Sequence, residues 1–153
     1  MKRFLTLGFV PSSTDAGLLL LRVTVCMSLF IKHGTEKLFT FSQMSAHFPD
    51  PLHIGAVPSL AFAMIADGIC MPLIVIGLAT RWAALISFIN LFVAWALVHH
   101  FLFLGKGADH GEVVWLYIAG MATLFITGPG RYSIDALLSK ESRSSEALQQ
   151  KFA

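Results

Sequence analysis

The chain has 153 residues, 56% of them hydrophobic and only 13% charged, with a mean hydropathy of +0.71, far above the apolar content of a soluble domain. A net charge of +2 on scattered basic residues excludes nucleic acid as a partner and fits Lys and Arg placed beside lipid headgroups. Cys26 and Cys70 lie far apart in apolar segments without a CxxC, so neither a disulfide framework nor a zinc knuckle is indicated.

Four apolar stretches follow in order, at Ala16–Leu38, Ile54–Ala79, Trp82–Leu104 and Val113–Thr127. Each approaches the ~20 helical residues that cross a ~30 Å hydrocarbon core, the fourth being the shortest. Lipid cannot satisfy an exposed backbone, so these runs are expected to be helices. The expected fold is an all-α, polytopic four-helix membrane bundle. The first run holds Arg22 and ends in "KHGTEKL" without a small-residue cleavage site, so it is expected to stay in the mature protein.

The first connection, about Phe39 to Val57, contains "PDP" and is expected to form a compact loop. In the second helix, "ADGICMP" places Pro72 just after Asp67. A proline there lacks a donor and crowds the carbonyl of Gly68, which predicts a bend that exposes polar backbone beside the aspartate. The connection "ATR" makes helices two and three antiparallel neighbours, and "GKGADHGE" can turn tightly into helix four. After Thr127, "GPGRYSID" reads as a helix stop and a fresh start. Ser133 is the expected N-cap of a short interfacial helix from Ile134 to about Leu148. Residues 1–140 thus form the membrane domain, and 141–153 a polar tail whose composition is compatible with disorder.

Basic residues flanking short loops are retained in the cytoplasm. Lys2, Arg3, Arg81, Arg131, Lys140, Arg143 and Lys151 fall on one side, against Lys32, Lys37 and Lys106 on the other. Both termini are therefore expected in the cytoplasm, and all six histidines, His33, His47, His53, His99, His100 and His110, at the outer side.

Arg22 and Asp67 fall within roughly 6 Å of each other in depth, counted at ~1.5 Å per residue, and are expected to pair inside the bundle, with Asn90 near the same level. Ionised residues at this depth are costly, so they either fix helix register or line a ligand cavity or proton path. Cys26 and Cys70 lie at similar depths and form a conceivable redox pair, against their commoner use as small packing residues. Toward the outer side, His33 and Glu36 share a helix face with Arg22. His99 and His100 end helix three, and His110 and Glu112 lead into helix four. Such a set can hydrogen-bond a quinone headgroup, relay protons near neutral pH, or hold a transition metal. The ligand-binding or proton-handling residues expected are Arg22, His33, Glu36, Asp67, Asn90, His99 and Glu112. Those for a metal are His33, Glu36, His99, His100, His110 and Glu112, without any HExxH spacing. Lys32 and Lys37 are expected to snorkel to headgroups. Trp82 fits an interfacial belt, while Trp95 and Trp115 fit either a belt or a wall of the polar rim.

The stretches "LLLLRVTV", "KHGTEKL", "GLATRWAA" and "GPGRYSID", in this order relative to four spans, resemble the DoxX family of small bacterial inner-membrane proteins. The resemblance runs from about Leu18 to Leu137. Its matching positions are Arg22, His33, Gly34, Lys37, Leu38, Gly77, Arg81, Gly128, Gly130, Ser133 and Asp135; Asp67 stands where a glutamate would be looked for. The resemblance implies a location in the bacterial inner membrane and a link to membrane oxidoreductase assemblies. DoxD-type relatives serve thiosulfate:quinone oxidoreduction, and others partner thiol-stress or superoxide-defence proteins.

The expected function is a membrane redox subunit that binds a quinone or another lipophilic compound in the bundle, with His33, Glu36, His99 and Glu112 at the head and Arg22 with Asp67 closing the inner end. If it is an enzyme, it is a subunit of a quinone-linked oxidoreductase. The alternative is a non-catalytic membrane module that handles a metal ion or small solute, or anchors a periplasmic partner. A proton-coupled transporter ranks last, because one such chain would need to oligomerise to provide alternating access. The expected partners are the bilayer, a redox or periplasmic protein, and a second copy of the chain.

Overall fold

A computed structural model describes residues 13–101 and 111–142. Helix α1 runs Thr14–Phe39, α2 Ala56–Ile76, α3 Thr80–Val98 and α4 Gly111–Thr127. A further helix, α5, occupies 134–142 within the described residues. The first three are long and apolar enough to cross a membrane, at 26, 21 and 19 residues. The fourth has 17, about 26 Å at the helical rise. Among the described residues there is no strand.

The helix ends follow from local chemistry. The Ser13 side chain accepts from the Ala16 N–H and caps α1. Helix α2 was expected to reach Ala79 but stops at Ile76. Gly77, at φ 75°, takes the left-handed conformation, and the Gly77 and Leu78 N–H groups donate back to the Ile74 and Leu73 carbonyls, a Schellman closure. Helix α3, expected to reach Leu104, ends at Val98. His100 and Phe101 take positive φ angles of 49° and 58°, the Phe101 N–H donates to the Trp95 carbonyl at 3.0 Å, and the Phe101 ring packs edge-on against Trp95 at 4.9 Å. Residues 102–104 lie outside the described part.

Three of the helices contain a π-helical turn, at Phe30–Gly34 in α1, Ile65–Cys70 in α2 and Ala94–Val98 in α3. The α2 turn ends just before Pro72, where the sequence predicts a bend: without a Pro72 N–H the ordinary helical bond to the Gly68 carbonyl cannot form. A π turn holds an extra residue and leaves carbonyls in need of donors. In a bilayer those donors must come from protein. The Ser87 hydroxyl of α3 donates to the Ala66 carbonyl at 3.1 Å, and the Lys37 ammonium to the His33 carbonyl at 3.4 Å.

The π turns of α1 and α2 meet at a close crossing. A Cβ on Gly34 would fall against the Asp67 carbonyl oxygen, and one on Gly68 would come within 3.0 Å of the Leu38 side chain. Glycine lets the two backbones approach where an alanine would hold them apart. Below the crossing, Leu29, Met71, Ile74, Ala84, Met121 and Leu124 form the close-packed core, together with Cys26 and Cys70. Leu20, Ile31, Leu116 and Ile126 remain more than 60% exposed on the periphery, the arrangement expected where lipid is the solvent.

Candidate functional site

The bundle has two polar ends. At the end nearest residue 13, Arg22 is fully buried. Its guanidinium donates to the carbonyls of Ile74 at 3.3 Å and Val75 at 3.2 Å, and to that of Tyr132. The first two are among the last four carbonyls of α2, which lack the usual partner four residues on, so Arg22 is a cationic cap there beside the Gly77 N–H on Ile74. The expected Arg22–Asp67 pair does not form. The guanidinium reaches along α1 to the end of α2, seven or more residues beyond Asp67, which is ~10 Å at the helical rise. Asp135 completes this end. Its carboxylate accepts from the N–H groups of Ala79 at 2.7 Å and Thr80 at 2.9 Å, supplying the N-terminal cap that Ala79 cannot give α3. Arg81 donates to the Ile126 carbonyl at 3.0 Å, and Asp15 accepts from the Arg131 N–H at 2.8 Å. Ser133 caps α5 by accepting from the Ala136 N–H, as its sequence position predicts. Trp82, beside Arg81, is 72% exposed, a placement that fits an interfacial belt residue.

The opposite end, where His33 and His99 lie, holds a cavity of about 1050 Å³ lined by α1, α2, α3, α4 and the segment after α1. This is at the upper end of the ~300–1,000 Å³ typical of small-molecule sites. Its walls are mostly apolar, with Leu52, Ile54, Phe62, Ile89, Val93 and Val114 among them. A polar group lies at the π-turn crossing. The Lys37 ammonium sits 2.9 Å from Asp67 Oδ2, and Asn90 Nδ2 donates to Asp67 Oδ1 at 3.3 Å. Both members of the ion pair are buried, and all three side chains line the cavity. His33, Lys32 and His99 also line it, as do Ser28 and Tyr117, whose hydroxyls hydrogen-bond at 2.9 Å between α1 and α4.

The structure thus brings together His33, Asp67, Asn90 and His99 of the expected set. It leaves out Arg22 at the other end, while Glu36 and Glu112 are exposed and do not line the cavity. Of the histidines expected at a metal, His100 is exposed and not a lining residue, and His110 lies outside the described residues. Among the described residues no group of three His, Cys, Asp or Glu side chains is placed to hold a metal ion. Cys26 and Cys70 are free and buried in one packed core cluster. Trp95 and Trp115 pack on each other at 4.9 Å, and neither lines the cavity.

Lys37 is the principal correction. Expected at the headgroups, it is instead 8% exposed and salt-bridged. The sequence signal was its spacing of four from His33, just past Gly34, on a helix that faces an aspartate. At 3.6 residues per turn, each residue adds about 100°. The extra residue of the α1 π turn therefore rotates everything beyond it by about that amount, carrying Lys37 inward and Glu36 outward.

The segment between α1 and α2 folds over the mouth of the cavity, with Phe48, Pro49, Pro51 and Leu52 in its wall. Asp50 organises it, accepting from the Ile54 N–H at 3.0 Å, the Gly55 N–H at 2.8 Å and the Ser59 hydroxyl at 2.9 Å. Desolvation pushes the Asp50 carboxyl up, but the hydrogen bonds from Gly55, Ser59 and Ile54, with His53 nearby, outweigh it and hold the group below the usual carboxylate range.

Long apolar helices, buried charged side chains hydrogen-bonded within the bundle and an apolar periphery define a multi-pass membrane protein built as a helix bundle. The chain belongs to the DoxX family, whose model matches residues 17–100 and so covers α1, α2 and α3. Comparison with curated proteins and with solved structures gives no match.

Proposed function

We propose that this DoxX protein is a membrane module that holds a lipophilic molecule with an oxygen-bearing head, of which a quinone is the leading class, as a subunit of an inner-membrane oxidoreductase assembly with both termini in the cytoplasm. The observation that carries this is the apolar cavity of about 1050 Å³ whose polar group is Lys37, Asp67 and Asn90. An apolar pocket with a few convergent polar groups is the general form of a small-molecule site. A quinone head presents two carbonyl acceptors, and Lys37, Asn90 and His33 supply donors at one wall. The Lys37–Asp67 pair holds a proton between two buried groups, so a head that gains or loses a proton has an exchange partner beside it. The electrons would come from a partner protein.

The test uses the full chain purified in a mild nonionic detergent. Mass spectrometry of its extracted lipids should show a retained quinone, and a short-chain ubiquinone analogue should bind saturably. Asn90→Leu, which removes one donor, should weaken that binding about tenfold, the value of a hydrogen bond of ~1.4 kcal/mol. No quinone in the extract together with no saturable binding overturns the proposal.

A further inference from the structure

The cavity's charges point to something more specific than a polar head. Among the described residues three charged side chains line it: Lys32, Lys37 and Asp67. Asp67 is spent, with Oδ2 on Lys37 and Oδ1 on Asn90. Lys32, on the same helix as Lys37, is exposed and forms no ion pair among the described residues. The other polar side chains on the lining include His33, His99 and Tyr117, none of which is a carboxylate. Among the described residues no second carboxylate lines the cavity. Glu36 and Glu112 are exposed outside it, and Asp50 is directed to Ile54, Gly55 and Ser59. Between its ammonium and carboxylate groups, the described lining therefore carries one more cation than anion, the extra one being Lys32 at the exposed side of the cavity. Donors are also in excess. The Lys37 ammonium has three N–H groups, and Asp67 and the His33 carbonyl account for two. Two apolar lining residues, Phe62 on α2 and Ile89 on α3, are 38% and 45% exposed. These side chains offer open apolar surface along which a tail can lie.

Resting on the preceding proposal that a lipophilic molecule occupies the cavity, we infer that its preferred occupant is an amphiphile with an anionic head and an apolar tail. The head lies among Lys32, His33 and Lys37, and the tail runs along Phe62 and Ile89. A free fatty carboxylate and an anionic phospholipid both meet this description.

The experiment compares probes that share a tail and differ in head charge, each affinity being corrected for that probe's own measured partition into the detergent. Laurate, methyl laurate and dodecylamine are titrated into the full chain in nonionic detergent, alongside the quinone analogue. Laurate should bind about tenfold more tightly than its ester, with dodecylamine weakest. In Lys32→Glu, at an exposed position outside the packed core and checked for an unchanged melting temperature, the preference for the acid should vanish. A parallel comparison of phosphatidylglycerol with phosphatidylcholine of the same chains identifies the source. Preference for phosphatidylglycerol without laurate binding assigns a phospholipid head, and laurate binding without that preference assigns a free acid; either supports the charge assignment. Equal affinity for acid and ester with no preference for phosphatidylglycerol overturns it, as does an acid preference that survives Lys32→Glu. If the quinone analogue still binds, only the charge assignment falls; if no probe binds, the preceding proposal falls as well.

Discussion

Lys37 and Asp67 illustrate how much of a membrane site is decided by a single partner. Each charge is tolerable at this depth because the other lies 2.9 Å away, and Asn90 and the His33 carbonyl satisfy more of the remaining valence. Lys37→Met should therefore lower stability by about 3–5 kcal/mol, because it strands a buried carboxylate, whereas Lys37→Met with Asp67→Leu should recover most of the loss. Thermal unfolding of the detergent-solubilised variants checks this, and a double variant no more stable than the single one would show that the pair is not the source. Asp50 gives a second residue-scale prediction. Its carboxyl titrates lower in the folded chain than in the unfolded one, so its contribution is complete above the unfolded value of about 3.9 and disappears as pH falls through the lower folded value. The segment over the cavity should stay closed from neutral pH down to about pH 4 and loosen only below it. Hydrogen exchange at the Ile54 and Gly55 amides, measured against pH, should accelerate there relative to the helix interiors, and Asp50→Asn should lose that added acid response.

At the scale of elements, the four apolar helices were legible in hydropathy, because length and the absence of charge decide what can cross a bilayer. Their ends were legible where a residue enforces them, as Ser133 does for α5 and Pro72 does for the distortion in α2. The π turns were not. Side-chain pattern does not record which carbonyl a given N–H reaches, and one extra residue in α1 was enough to misassign Lys37 and Glu36. The same blind spot hid the Lys37–Asp67 pair, while the depth argument correctly brought Asn90 near Asp67 and wrongly brought Arg22 there. The α1–α2 crossing can be tested through two glycines on one helix. Gly34→Ala places a methyl against the Asp67 carbonyl and should destabilise by about 1–3 kcal/mol, forcing apart the turns that carry the ion pair. Gly17→Ala meets no atom within 4 Å and should stabilise by about 0.5–1 kcal/mol through helix propensity alone. Melting temperatures that move in the same direction for both would refute the crossing as the cause.

Across the whole molecule, the residues that carried the family resemblance divide between two tasks. Arg22, Gly77, Arg81 and Asp135 tie helix ends together at the end nearest residue 13, whereas His33, Gly34 and Lys37 build the wall and crossing at the cavity. A bundle closed by backbone-directed hydrogen bonds at one end and hollow at the other has a polarity, and its direction in the membrane decides which compartment the cavity faces. The basic residues set the expectation. Arg81, Arg131 and Lys140 stand at the closed end and Lys32 and Lys37 at the hollow one, with Lys2, Arg3, Arg143 and Lys151 adding to the first side and Lys106 to the second by sequence position. Lys37 is neutralised by Asp67, which weakens the opposing side further. The closed end should therefore face the cytoplasm and the cavity the outer compartment. Single cysteines can report this once Cys26 and Cys70, both buried, are replaced by serine or alanine. A cysteine at exposed His47 should react with a membrane-impermeant maleimide in intact spheroplasts. A cysteine at exposed Lys140 should react only after lysis. The reverse pattern would turn the molecule over and place the Lys37–Asp67 cavity against the cytoplasmic leaflet, where any partner delivering electrons would have to be cytoplasmic.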